Sequence, residues 1–281
     1  MTGTLLSFGH GYSAQELAKT LLPQGWRIIG TTRSEDKAQR LAAEGIEPLV
    51  TPRDDLCAAI ADADHILMSA APGPEGDPFL ADYREALRGA PAAWVGYLST
   101  TGVYGDHQGA WVDETAPLTP ATKRGLARVA AEAEWRALGL PLHIFRLAGI
   151  YGPGRGPFAK VRAGTARRIL KPGQVFSRIH VEDIAQVLAA SIAQPRPGAV
   201  YNVCDDDPAP PENVIGHAAE LLGLPLPPAE DFATADMTPM ARSFYAESKR
   251  VRNDLIREEL GVVLRYPSYR DGLAALLAAG E

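Results

Sequence analysis

The chain has 281 residues, enough for one large domain or for a nucleotide-binding domain with a smaller companion. Apolar residues make up 46% and charged residues 22%, an ordinary balance for a soluble enzyme, and no apolar run is long enough to span a membrane. A net charge of -6, a pI near 5.6 and the lack of a basic block argue against a nucleic-acid partner.

The chain opens with an apolar run ending at Phe8, then Gly9, Gly11 and Ala14, then Leu17, Ala18, Leu21 and Leu22 at helical spacing. This predicts a buried strand, a glycine turn and an amphipathic helix. Strand 26–30, helix 35–44, strand 46–50, a short helix near 55–61 and strand 65–69 follow. Helix 79–88, strand 93–98, helix 121–138 and strand 141–147 continue the alternation, which predicts a parallel sheet covered on both faces. From Gly149 to Pro172 the chain is rich in turns. Helix 181–193 and strand 199–203 follow, the strand placed to rejoin the first sheet. A polar linker at 205–211, helix 212–222, a Pro-rich stretch at 225–239 and helices at 247–259 and 269–279 complete the chain.

Cys57 and Cys204 both sit in apolar sequence and read as buried free thiols in a reducing compartment. With the first strand beginning almost at Met1, no signal peptide is read, and a cytoplasmic location is expected. Arg167, Arg168 and Lys171 read as a solvated face. No His, Cys or Asp cluster has metal-ligand spacing, so no metal is expected.

The opening turn has the form G-x-G-x-x-A, a permitted dinucleotide fingerprint. Gly9 would supply the tight turn. Gly11 would let the backbone approach a pyrophosphate held on the free amides at Tyr12 and Ser13, and Ala14 would keep the helix near the sheet. A turn that binds nothing would use the same glycines, but this one opens the chain directly after a strand. NAD sites place an acid at the end of the second strand. Here that end reads Gly30-Thr31-Thr32-Arg33, so NADP is preferred over NAD, with Arg33 on its 2′-phosphate. The missing acid also argues against S-adenosylmethionine.

Six motifs then fall in a recognisable order: GHGYSAQELA at 9–18, LSTTGVYG at 98–105, DETAPLTP at 113–120, RLAGIYGPGR at 146–155, RIHVEDIA at 178–185 and YNVCDDDP at 201–208. The chain resembles the extended short-chain dehydrogenase/reductases, the NAD-dependent epimerase/dehydratase-like group, over nearly its whole length. That resemblance implies an α/β fold: a Rossmann doubly wound parallel sheet at 1–150 and a smaller C-terminal substrate domain at 151–281, with 180–204 returning to the first domain. It also implies that Ser69, Ala70 and Ala71 run along the cofactor, and that helices 79–88 and 121–138 offer a homodimer interface.

The acid/base row departs from that family. Relatives carry a Ser or Thr where this chain has Thr100, and then Tyr-x-x-x-Lys. Here PLTPATKRGLARVAAE aligns without a gap and puts Arg124 at the Tyr position and Arg128 at the Lys position. The chain therefore resembles an atypical branch lacking the catalytic pair. Arg cannot exchange a proton near neutrality. Arg124 can serve as a fixed charge, Arg128 as a ribose ligand and Thr100 as a carbonyl ligand. Tyr12 and Tyr104 read as packing or cofactor-lining residues, His180 as a structural histidine, and Asp183 as serving the start of its helix. Tyr151, Arg155 and Arg178 fall where relatives close over substrate, while Phe176 replaces a common Arg, which argues against a nucleotide sugar. Two functions follow: an NAD(P)-dependent oxidoreductase or nucleotide-sugar epimerase/dehydratase-like enzyme with altered acid/base residues, or a non-catalytic NADP-binding sensor or regulatory protein on the same scaffold.

Overall fold

The computed structural model describes residues 2–281. Its elements run β1 Thr4–Phe8, α1 Tyr12–Leu21, β2 Arg27–Thr32, α2 Glu35–Ala43, β3 Glu47–Val50, α3 Cys57–Ala61, β4 His65–Met68, α4 Leu80–Arg88 and β5 Trp94–Thr100. They continue with β6 Trp111–Val112, α5 Lys123–Arg136, β7 Leu142–Leu147, β8 Gly149–Tyr151, α6 Phe158–Arg162, β9 Arg168–Leu170, β10 Arg178–His180, α7 Val181–Ala193 and β11 Val200–Val203. The chain ends with α8 Pro211–Leu221, β12 Ala229–Asp231, α9 Pro239–Phe244, β13 Arg250–Val251, α10 Asp254–Glu258 and α11 Tyr269–Ala278.

Alternation along the central strands divides their side chains between two apolar layers. Leu5, Ile28, Leu67, Trp94 and Phe145 face α1, α2 and α7. Leu6, Ile29, Ile66, Val95 and Ile144 face α3, α4 and α5. Burial on both faces is what a parallel sheet requires. The sheet has seven parallel strands in the order β11-β7-β5-β4-β1-β2-β3. The chain leaves β1 toward β2 and β3, then crosses back to β4 on the other side. That reversal leaves a crevice beyond the carboxyl ends of β1 and β4, the usual ligand position in such sheets.

A second lobe packs α6, α8 and α11 around Tyr151, Phe158, Ala218 and Leu273. A small aromatic cluster beside it joins Ile169, Phe176, Phe232 and Tyr245. The segment between α9 and α11 does not stay with the lobe. Val251, Ile256, Leu260, Val262 and Leu264 enter the layer that also holds α1 and α7.

Four expectations need correction. Cys204 is buried, but Cys57 is exposed, because it starts a short helix whose inward face is taken by Ile60. The long helix expected at 247–259 is cut to α10. Its first part pairs with β6 instead, through Arg250 N–H to the Ala110 carbonyl and Arg252 N–H to Val112, both 2.9 Å. Asp183 does not cap its helix; the His180 ring accepts the Glu182 amide there. The Asp183 carboxylate instead accepts the amides of Arg265 at 2.7 Å and Tyr266 at 3.1 Å, tying that loop to α7. The cluster Arg167, Arg168 and Lys171 is not simply solvated, because its side chains donate to the carbonyls of Asp236, Pro227 and Tyr245.

Candidate functional site

The crevice begins at the glycine turn. Gly9 has φ +67, and a Cβ on it would lie 2.8 Å from the Ala70 side chain. Only glycine fits where β1 meets the end of β4. The Gly9 amide donates to Thr31 Oγ1 at 2.7 Å, which fixes the turn to β2. Gly11 caps α1 in extended conformation, and no side chain bonds the first turn of that helix. A Cβ on Gly11 would meet only the Gly9 carbonyl, at 3.4 Å, so the outer side of the turn is open. Ser13 and Ala14 are buried against the sheet. Free helix-start amides beside an open glycine fit a pyrophosphate.

Tyr12 does more than line the turn. Its hydroxyl donates to the Pro153 carbonyl at 3.0 Å, and Arg155 lies over its ring at 5.6 Å. Partial burial pushes the phenol up to about 12. Arg155 therefore sits beside the glycine turn. Ser69 extends β4 by donating its amide to the Phe8 carbonyl at 3.0 Å, Ala70 lies against Gly9, and Ala71 is exposed. Arg33 is exposed just past β2, next to the Ser34 cap of α2.

One residue of this region was not singled out from the sequence. His10 is fully buried with both ring nitrogens lacking a partner among the described residues. Its ring lies against Gly30, where a Cβ would approach it to 2.9 Å. Burial, with Lys37 nearby, pushes its pKa down to about 4. The signal available was a polar ring between two fingerprint glycines, facing a glycine on β2.

The second part of the site lies at the end of β5. Thr100 is half-buried, and its hydroxyl accepts the Gly102 amide at 3.2 Å, capping the turn at 101–104. The start of α5 presses on that turn. A Cβ on Gly125 would stand 2.9 Å from the Gly102 carbonyl. Arg128 reaches in from α5 and donates to the Leu98 carbonyl at 2.6 Å and the Tyr97 hydroxyl at 3.1 Å. Arg124, one turn earlier, is exposed and reaches α9: Nη2 donates to Ser243 Oγ at 3.4 Å, and the guanidinium lies 4.3 Å from the Phe244 ring centroid.

A buried polar network supports this end. Glu132 on α5 is 0% exposed and Arg146 on β7 only 3%. Arg146 donates to both Glu132 oxygens, from Nε at 3.2 Å and Nη2 at 3.0 Å. Ser99, the neighbour of Thr100, donates to Glu132 Oε1 at 2.6 Å. Arg146 Nη1 donates to the Tyr104 hydroxyl at 2.9 Å, and that hydroxyl donates to Asn202 Oδ1 at 2.7 Å. Burial pushes the Tyr104 phenol up to about 12. An Arg in the apolar strand PLHIFRL was the sequence signal for this network.

The remaining expected substrate ligands are turned elsewhere. Tyr151 is a core residue of the lobe, not a cleft residue. Its ring fills the space under Gly272, and its hydroxyl donates to the Ser268 carbonyl at 3.3 Å. Arg178 turns onto backbone, with Nη1 on the Phe176 carbonyl at 2.8 Å and on Ala209 at 3.0 Å. Among the described residues no group of His, Cys, Asp and Glu could hold a metal ion, and no helix is long and apolar enough to cross a membrane.

The model of the NAD dependent epimerase/dehydratase family matches residues 83–204. The Escherichia coli K12 protein YeeZ is 31% identical over 278 residues, covering 92% of this chain and 94% of that one. A 3-diazoavenalumate denitrifying reductase from a Streptomyces species is 27% identical, covering 97% and 94%. The solved structure of a functionally unknown conserved protein from Silicibacter pomeroyi DSS superposes with a TM-score of 0.94 at 63% identity, covering 99% of both chains.

Proposed function

This chain belongs to the NAD-dependent epimerase/dehydratase family, and we infer from its crevice that it is an NADP-dependent oxidoreductase or epimerase-like enzyme with altered acid/base residues. The observation that carries this reading is the glycine turn. Gly9 is locked against Ala70, Gly11 is open on its outer side, and no side chain caps α1. When bound, the dinucleotide supplies or accepts a hydride. The chain's own residues hold it: the amides at Tyr12 and Ser13 take the pyrophosphate, Ser69 to Ala71 line its path, and Arg128 takes the ribose. Arg33 takes the 2′-phosphate, since no acid stands at the end of β2. Thr100 still has its hydroxyl proton to donate to a carbonyl oxygen. Arg124 supplies a fixed charge. The name of the Streptomyces relative, a reductase, supports net hydride transfer.

The test is a titration of NADPH and NADH against wild type and Arg33→Ala. NADPH should bind more tightly, and Arg33→Ala should lose about 1.5–3 kcal/mol for NADPH only. Equal wild-type affinities would remove the NADP assignment. A non-catalytic NADP-binding protein would also lack the family's Tyr. NADPH oxidation on any member of a carbonyl panel decides for the enzyme. Homodimerisation through α4 and α5, where Leu126 is exposed, belongs to the same reading and is measured by sedimentation.

A further inference from the structure

Arg124 is an unspent cation. One face of its guanidinium covers Phe244, and its edge makes a single long contact, to Ser243 Oγ at 3.4 Å. The other cations on that wall are engaged. Arg178 bonds two backbone carbonyls, and so does Arg242, on Phe232 and Ala235. Lys171 bonds the Tyr245 carbonyl and Gln174 Oε1. Lys249 is buried between the Gly105 carbonyl at 2.6 Å and Glu247 at 2.9 Å.

What these contacts hold in place is a run of rings. Phe176 stands edge-on to Tyr245 at 5.6 Å, and Tyr245 stacks on Phe232 at 5.2 Å. Phe244, next in the chain to Tyr245, is 51% exposed under Arg124. Among the described residues the wall therefore presents one free planar cation beside flat apolar surface. A diphosphate would bring two or more charges to that one cation, while the neighbouring cations are already spent on backbone carbonyls. A single carboxylate matches the two-pronged edge of a guanidinium. A conjugated body can stack on the exposed ring.

We propose that the substrate is a flat, aromatic or conjugated monocarboxylate, with its carboxylate on the edge of Arg124 and its ring system against Phe244. This rests on the dinucleotide reading above and names the substrate of that same site.

The test is calorimetric titration of the full chain, saturated with NADP, with trans-cinnamate, methyl cinnamate and UDP-glucose. Wild type should bind cinnamate. Removing the charge from either side, by using the methyl ester or Arg124→Ala, should weaken binding about tenfold or more. Arg124→Lys should restore part of it, and Phe244→Ala should weaken cinnamate and ester alike. NADP affinity is measured first in every variant and should be unchanged. Cinnamate affinity untouched by Arg124→Ala, or binding of UDP-glucose where cinnamate does not bind, overturns the substrate class and leaves the dinucleotide reading standing. A wild-type chain that binds no NADP overturns both.

Discussion

A guanidinium is a fixed charge and a poor proton carrier near neutrality, so Arg124, exposed at the start of α5, can present charge but is not a general acid or base. Once a substrate is known, Arg124→Ala should lower kcat/KM by about 1.5–3 kcal/mol. Arg124→Lys should recover part of that, since a cation remains without the planar fork. The limbs of the pH–rate profile should stay in place in both variants. A limb that vanishes with Arg124 would put the residue on the proton path and end the fixed-charge argument. At this scale the sequence was most legible where backbone geometry dictates the residue. Gly9 and Gly11 were readable because turn and close approach admit little else. Tyr151 and Arg178 were not, because direction decides their role: Tyr151 points under Gly272, and Arg178 points at two carbonyls.

Between β1 and α1, one added side chain should separate binding from folding. Gly11→Val places its branch on the open side of the turn, where only the Gly9 carbonyl is near. The fold should survive and thermal stabilisation by NADPH should vanish. A variant still stabilised as strongly as wild type would place the cofactor elsewhere. The join of α5 to β7 rests on Glu132 and Arg146. Glu132→Ala should cost about 3–5 kcal/mol in urea unfolding, because it leaves Arg146 buried without its carboxylate. Glu132→Leu combined with Arg146→Met should cost much less than Glu132→Ala, since no buried charge remains. A double variant as unstable as the single would mean that packing, not the charge, sets the cost. Elements whose apolar residues keep one period, such as α7 and β7, were legible from sequence. The stretch 247–259 misled because its helical spacing is overridden by pairing with β6, a partner more than a hundred residues away. Asp183 misled similarly: an acid in the first turn of a helix reads as a cap, yet its partners come from the loop at 265–266.

Over the whole molecule, burial sets how stability depends on pH. His10, His65, His143 and His180 are all held below the ordinary histidine value by burial, His10 at about 4. A group with a lowered folded pKa stabilises fully above its unfolded pKa and loses that contribution as pH falls toward the folded one. The histidines therefore weaken the fold as pH falls below about 6.5, His10 doing so down to about 4. Buried carboxyls act in the opposite sense. Asp77, Glu114 and Asp183 are raised by burial, and Asp205 is pushed up to about 8. Their contribution is whole below the ordinary carboxylate range and is lost as pH rises, for Asp205 through about 8. The two sets overlap between pH 4 and 6.5, so a wild-type curve alone mixes them, and differences between variants separate them. His10→Leu keeps the apolar contact with Gly30 and removes the titrating ring. In urea unfolding of the cofactor-free chain, wild type should lose about 2 kcal/mol relative to His10→Leu between pH 7 and pH 5. Asp205→Asn should show the mirror image, with wild type losing stability relative to the variant as pH rises from 5 to 8. A constant offset between wild type and His10→Leu across that range would show that the ring titrates alike in the folded and unfolded chain. Its burial in the glycine turn would then have no hold on its proton.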